Sequence, residues 1–98
     1  ETGQIKRAFG KAAYSIASSS TKSMMGHMLG ASGAVEVIAS LIAMQDGFLP
    51  PTVNLEKEDP ECDLDYIPRK ARQKKINTSI SISMGFGGHI AAIALRKA

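Results

Sequence analysis

The sequence predicts an α/β architecture, and three observations carry that prediction. From Ile76 to Ser83 the residues alternate, with Ile76, Thr78, Ile80 and Ile82 on one side and Asn77, Ser79, Ser81 and Ser83 on the other, the two-residue period of a strand. From Met28 to Gln45 the pattern is helical, and Asp46-Gly47 supplies a C-terminal stop. Ile90 to Leu95 is apolar on both faces, as in a buried strand, and it follows the first strand after a short Gly-rich turn, so the two are expected to form an antiparallel hairpin.

The remaining elements follow in order. Glu1 to Phe9 reads as a short helix, with Ile5, Ala8 and Phe9 on one face and Gly10 as its stop. Ala12 to Ser18 reads as a strand, because Tyr14 and Ile16 alternate with small residues. Ser18 to Ser23 is polar and reads as a loop. In the helix that follows, nine of the eleven residues from Ala34 to Met44 are apolar, all but Glu36 and Ser40. A helix apolar nearly all round has to be covered nearly all round. A chain of 98 residues can hardly supply that cover alone. Gly26, Gly30 and Gly33 near its start weaken the helix and point to close approach of another backbone. Phe48 to Pro68 reads as an extended connector punctuated by Pro50-Pro51, Asp59-Pro60 and Ile67-Pro68. Arg69 to Lys75 is a basic run, either a solvated loop or a docking surface for an acidic partner.

Composition excludes several classes of function. Apolar residues make up 44% and charged residues 21%, close to globular usage, which argues against disorder. Residues 1–98 make at most one domain or part of one. The first residues, Glu1-Thr2-Gly3-Gln4, show neither an initiating Met nor a signal-peptide pattern, as expected of a piece of a longer polypeptide. No apolar run reaches the roughly 18 residues of a membrane span. A net charge of +3 with the scattered aromatics Phe9, Tyr14, Phe48, Tyr66 and Phe86 argues against a nucleic-acid partner. A single cysteine, Cys62, with His27 and His89 far apart, is too thin a set for a structural metal site or an internal disulfide, and a reducing compartment suits it.

Two phosphate-binding patterns fail. Thr21-Lys22-Ser23 lacks the glycines of a P-loop, and Gly85-Phe86-Gly87-Gly88 lacks the third glycine and the following helix of a dinucleotide fingerprint. Lys22 and His27 form a more interesting pair. They flank a Gly-rich helix entry, where a histidine either caps the helix or stabilises developing negative charge on an enolate or oxyanion. Glu36 lies on the apolar helix, where an ionised carboxylate needs a partner, either Lys22 or a residue outside this chain. Phe86, flanked by Gly85, Gly87 and Gly88, is either an apolar plug or a movable aromatic on a flexible turn.

The segment Ser20-Thr21-Lys22-Ser23-Met24-Met25-Gly26-His27-Met28-Leu29-Gly30-Ala31-Ser32-Gly33-Ala34 closely resembles the Lys/His motif of β-ketoacyl-acyl carrier protein synthases. Asp46-Gly47 through Pro50-Pro51-Thr52-Val53-Asn54-Leu55 is similar to that family's connector. Pro60 to Tyr66 resembles a segment of its elongating type II members, and Ser83-Met84-Gly85-Phe86-Gly87-Gly88 its C-terminal Gly-rich loop. The resemblance covers nearly the whole chain. It implies a thiolase-like fold, with residues 1–98 as the last part of the second half: a mixed sheet, a buried helix and a C-terminal antiparallel hairpin. It also implies decarboxylative condensation of a malonyl unit with an acyl thioester, in fatty-acid chain elongation.

In that frame His27 is the second of two catalytic histidines and donates a hydrogen bond to the malonyl thioester oxygen. Lys22 orders the active-site network, with Glu36 supporting it. Phe86 is the acyl gate, within the oxyanion loop of Gly85, Gly87 and Gly88. The resemblance implies no cofactor and no metal. It implies acyl carrier protein as partner, the remainder of the synthase chain as cover, a homodimer when complete, and a bacterial cytoplasmic or organellar matrix or stromal location. The family's nucleophilic cysteine and first histidine are absent from residues 1–98, so this chain alone is expected to be inactive. Cys62 matches the connector, not the nucleophile. Ile82, Met84 and Ile90 stand where the family commonly has Asn, Phe and Asn. A polyketide synthase condensing domain and a non-catalytic synthase-like partner subunit are the alternatives.

Overall fold

A computed structural model describes all residues, Glu1–Ala98. The order is α1 (Thr2–Phe9), a 3-10 turn (Gly10–Ser15), α2 (Lys22–Met25), a second 3-10 turn (Leu29–Ala31), α3 (Ser32–Asp46), β1 (Phe48–Leu49), β2 (Arg72–Gln73), β3 (Thr78–Met84) and β4 (Ile90–Arg96). The strands form two antiparallel pairs, β1 with β2 and β3 with β4. Isolated parallel bridges join Ala17 to Asp65 and Thr52 to Pro68.

The helix ends follow their chemistry. Gly10, at φ 58°, stops α1 and returns its N–H to the Lys6 carbonyl. Gly47, at φ 74°, takes the left-handed conformation that a residue with a Cβ adopts only at a cost, and it closes α3 by donating to the Ala43 carbonyl at 2.9 Å. The start of α3 differs from expectation. The helix begins at Ser32, not Met28, because Leu29 at φ 50° interrupts the helical path. Lys22–Met25 makes a one-turn helix that starts inside the stretch read as loop, Ser18 to Ser23, and runs past its end.

The predicted strand from Ala12 to Ser18 is not formed. Gly10–Ser15 is a 3-10 turn, and only Ala17 makes a bridge, to Asp65. The period is three: Ala13 is fully buried and Ile16 half-buried, with the Ile16 N–H returning to the Ala13 carbonyl. Tyr14 turns outward, with the Lys6 ammonium 5.3 Å from its ring centroid. Lys6 also pairs with Asp63. That hydrogen bond holds the Asp63 carboxyl below its ordinary range and lifts the Lys6 ammonium above its own. The Thr2 and Tyr66 hydroxyls share a second bond between α1 and the connector.

The most enclosed large side chain, Ile67 at 2% exposure, lies in the connector, with Leu64 buried nearby in sequence. Ile67 has φ 50°, costly for a β-branched residue. Two bonds hold it: its N–H donates to Asp65 Oδ1 at 3.0 Å, and its carbonyl accepts the Thr52 N–H at 2.9 Å. Asp65 is the hub. Its carbonyl accepts the Ser18 N–H at 2.8 Å, and its carboxylate takes both guanidinium nitrogens of Arg72. The Arg72 hydrogen bonds hold the Asp65 carboxyl below its usual range. The basic run is therefore partly structural. Arg72 and Gln73 pair with Leu49 and Phe48, while Lys70, Lys74 and Lys75 face solvent.

The hairpin forms as predicted, in the register Thr78↔Arg96 through Met84↔Ile90. Its burial differs from expectation. Ser79, Ser81 and Ser83 are the half-buried side of β3, and Ile80, Ile82 and Met84 point to solvent. Cross-strand pairing extends that outer face through Ile90, Ala92 and Ala94. β4, expected to be buried on both faces, is exposed except for half-buried Leu95. The reason is the position of α3, which packs on the serine side of β3. The Ser79 hydroxyl meets Met44 Sδ at 3.3 Å, and a Cβ added at Gly33 would sit 3.5 Å from Ser83 Oγ. Small residues on both elements permit this close approach. α3 itself is only partly covered: Ser32 and Met44 are buried, whereas Ile38, Leu41 and Ile42 remain exposed.

Candidate functional site

The contacts of α3 with β3 place the start of the helix beside the hairpin tip, since Gly33 meets Ser83 and Met44 meets Ser79. Ser32 and Glu36 are four residues apart and share one face of α3. Each holds one of the residues singled out in the sequence. Glu36 forms an ion pair with the Lys22 ammonium. Within this chain Lys22 is the carboxylate's partner. The Glu36 side chain is 15% exposed and its backbone carbonyl accepts the Ser40 hydroxyl at 2.9 Å, so the acidic end of the pair is the fixed one.

His27 follows α2, and its ring turns back towards the next segment. Its Nδ1 accepts the backbone N–H of Leu29 at 3.0 Å, and the Ser32 hydroxyl lies 3.0 Å from the same nitrogen. A backbone N–H can only donate, so Nδ1 carries a lone pair and the proton of the neutral ring is on Nε2. The exposed ring therefore presents Nε2–H as a donor. Leu29 reaches this geometry at φ 50°, a left-handed conformation that non-glycine residues seldom take.

The loop carrying Lys22 and His27 is pegged from outside. Ser23 Oγ accepts the Val53 N–H at 3.0 Å and donates to the Ser20 carbonyl at 2.8 Å, and the Ser20 N–H reaches Thr52 Oγ1 at 3.4 Å. The connector thus fixes the loop from one side and α3 from the other. Sequence reasoning missed Ser32 and the Leu29 backbone. Neither carries chemistry of its own, and their role shows only once the chain turns at Leu29.

Phe86 stands at the hairpin tip with 103% exposure, so it plugs nothing within this chain. Gly85 N–H donates to the His89 carbonyl at 2.8 Å, and Gly87 and Gly88 take φ of 82° and 85°, so the tip is built around residues free of Cβ strain. Lys22, His27 and Glu36 gather about the start of α3. The loop of Gly85, Phe86, Gly87 and Gly88 follows Ser83 at the same end, without a hydrogen bond to them. A hollow of about 180 Å³ lies elsewhere, in the connector, bounded by Leu55, Lys57, Glu58, Asp59, Cys62, Leu64 and Tyr66. It contains none of the candidate residues, and Cys62 on its lining is exposed. No group of three or more His, Cys, Asp or Glu side chains is arranged to hold a metal ion, and no helix is long and apolar enough to cross a membrane.

Residues 1–56 match the family model described as beta-ketoacyl synthase, C-terminal domain. The chain is 52% identical over 97 residues to 3-oxoacyl-[acyl-carrier-protein] synthase 2 of Synechocystis and equally to that of Coxiella burnetii, covering 99% of this chain and 23% of each relative. It is 47% identical to the tetracenomycin polyketide synthase ketoacyl synthase alpha subunit of Streptomyces glaucescens, again over 23% of that protein. Among solved structures, it superimposes with a TM-score of 0.95 and 37% identity on a chain from a type II polyketide synthase acyl-carrier protein in complex with its ketosynthase bound to the hexaketide, over 99% of this chain and 24% of that one. The ishigamide ketosynthase/chain length factor gives 0.94 and 34%, over 100% of this chain and 24% of that one. The chain thus spans about a quarter of the length of the proteins it matches.

Proposed function

Because the chain belongs to the β-ketoacyl synthase family and has its thiolase-like fold, we propose that it supplies the malonyl-activating part of a condensing enzyme that elongates fatty acyl chains. The observation that carries this reading is the state of His27: a neutral ring whose Nδ1 is occupied by the Leu29 N–H and whose Nε2–H is free to donate.

In the proposed step the C–C bond to the malonyl carboxylate breaks and carbon dioxide leaves. The electron pair moves into the thioester as an enolate. His27 Nε2–H donates to the enolate oxygen as its charge grows, a contact stronger in the transition state than in the ground state. The carbanion carbon then attacks the acyl thioester, and the thiolate departs. Lys22, held by Glu36, orders the network around the site. Phe86 gates the acyl pocket, and its backbone N–H serves the acyl oxyanion. The acyl-bearing cysteine and the other histidine come from outside residues 1–98. Acyl carrier protein is the proposed donor of both substrates, in keeping with the carrier complex among the matched structures. The rest of the polypeptide covers α3 and the hairpin, and the complete protein works as a homodimer in the bacterial cytoplasm or an organellar matrix or stroma.

A polyketide ketosynthase is the second reading, favoured by the 47% identity to the tetracenomycin subunit. The product separates the two. The full-length protein, given acyl- and malonyl-carrier protein, is expected to release carbon dioxide and form one 3-oxoacyl product per condensation, and residues 1–98 alone to form none. An unreduced multi-ketide product would favour the second reading. Full condensation by residues 1–98 alone would remove the proposed division of the site.

A further inference from the structure

We propose that Ser32 is a positioning residue for His27: its hydroxyl, lodged between the Met28 N–H and the imidazole Nδ1, holds the ring in the form that presents Nε2–H. The inference rests on the role proposed above for His27. It adds a residue that does not itself reach the substrate.

The hydrogen-bond directions are determined by the donors. The Met28 N–H donates to Ser32 Oγ at 2.8 Å, so Oγ is an acceptor there. Oγ has one proton of its own, and its other polar neighbour is His27 Nδ1 at 3.0 Å. Nδ1 already accepts the Leu29 N–H at 3.0 Å. The Leu29 N–H can only donate, so a protonated Nδ1 would face it proton to proton; with Nδ1 unprotonated, the hydroxyl proton points to the ring.

The site is built. Ser32 is 6% exposed, so water does not readily take the place of its hydroxyl. Ser32 is the first residue of α3, after Ala31 at the N-cap, and its side chain turns back to the preceding turn, where it meets the Met28 N–H. Leu29 is left-handed at φ 50°, and of the two bonds of Ser32 one holds the backbone of the preceding residue, Met28, and the other the ring of His27. Without the hydroxyl, the Met28 N–H loses its acceptor and the ring loses its second partner at Nδ1. The ring then samples both tautomers, and the fraction ready to donate from Nε2 falls.

The test uses the full-length protein with nitrogen-15 labelled histidine, the His27 signals being identified by their loss in His27→Gln. The expected wild-type spectrum shows an unprotonated, hydrogen-bonded Nδ1 and a protonated Nε2. In Ser32→Ala the Nδ1 signal should move towards that of a ring exchanging between tautomers. Carbon dioxide release from malonyl-carrier protein should fall roughly tenfold in kcat with little change in KM, the scale of one lost hydrogen bond. Ser32→Thr, which keeps the hydroxyl, should retain the wild-type ring signal, and this arm stands even where the alanine variant folds poorly. A protonated Nδ1 in the wild type, a ring signal unchanged by Ser32→Ala, or a ring signal lost in folded Ser32→Thr would overturn the proposal. Undiminished decarboxylation in His27→Ala would instead overturn the reading it rests on.

Discussion

The connector and the hairpin treat their isoleucines in opposite ways. In the connector, Ile67 is 2% exposed and is enclosed by segments of this chain, with Asp65, Thr52 and Arg72 fixing the backbone around it. In the hairpin, Ile82 is 41% exposed although it lies mid-strand in a seven-residue ladder. The connector has irregular backbone and a left-handed isoleucine, yet it buries Leu64 and Ile67. The hairpin has ideal pairing and buries little. Backbone regularity and burial are separate quantities, and the burial depends on whether a second layer is present. For the hairpin, α3 supplies one layer, on the serine side. The continuous face of Ile80, Ile82, Met84, Ile90, Ala92 and Ala94 has the composition of a core without its cover. The candidate site sits where these two regimes meet, with connector atoms pegging its loop and α3 holding its histidine.

The largest effect that sharpens this comparison comes from the same truncation made in both regions. Ile67→Ala in residues 1–98 should cost about 2–4 kcal/mol by urea unfolding, the range for emptying a closed site. Ile82→Ala in the same chain should change stability by no more than about 0.5 kcal/mol. In the full-length protein the Ile82→Ala cost should rise to the same scale as Ile67→Ala, because the proposed cover is then present. Equal costs at the two positions in residues 1–98 would break the comparison.

A smaller effect is expected at the connector hub. Asp65→Asn weakens the two-pronged pair with Arg72 and the bond to the Ile67 N–H, and should cost about 1–2 kcal/mol at neutral pH. The sign of its pH dependence follows from the lowered carboxyl. The charged form is favoured in the folded state, so its stabilisation is complete above about pH 5 and fades as pH falls through the ordinary value of 3.8 to the lower folded value. The gap between wild type and Asp65→Asn in urea midpoint should therefore narrow on acidification. A gap constant from pH 7 to pH 3 would remove Asp65 as the hub.

Much of this fold was legible in the residues, and the failures have physical causes. Gly10 and Gly47 end their helices where expected, and the Ile/Ser alternation of β3 and the glycines of its turn gave the hairpin. Alternation reveals a strand but not which face is covered, and here the layer that α3 supplies lies on the serines. Ala12 to Ser18 misled because three small or aromatic alternations fit a period of two as readily as the period of three that Ala13 and Ile16 adopt. Ile67 was hidden by its position before a proline in a polar connector, where nothing in local pattern marks a core residue. At the site, Lys22, His27, Glu36 and the Gly-rich tip were visible as residue types. The Lys22–Glu36 pair was one of two partners open for the carboxylate. Ser32 was not visible, because its place shows only after Leu29 turns left-handed and brings its own N–H and the Ser32 hydroxyl to one ring nitrogen, with the Met28 N–H on that hydroxyl.

The central claim is that His27 acts as a donor to the enolate and not as a general support of the site, and the two half-reactions of the full-length protein separate these roles. Acyl transfer from carrier protein to the enzyme and carbon dioxide release from malonyl-carrier protein can be followed independently in His27→Ala. The account predicts that carbon dioxide release falls by about 100-fold to 1,000-fold, the loss seen when one preorganised donor is removed, while acyl transfer stays within a few-fold of wild type. Equal loss of both half-reactions in a folded variant, or carbon dioxide release at the wild-type rate, would contradict it.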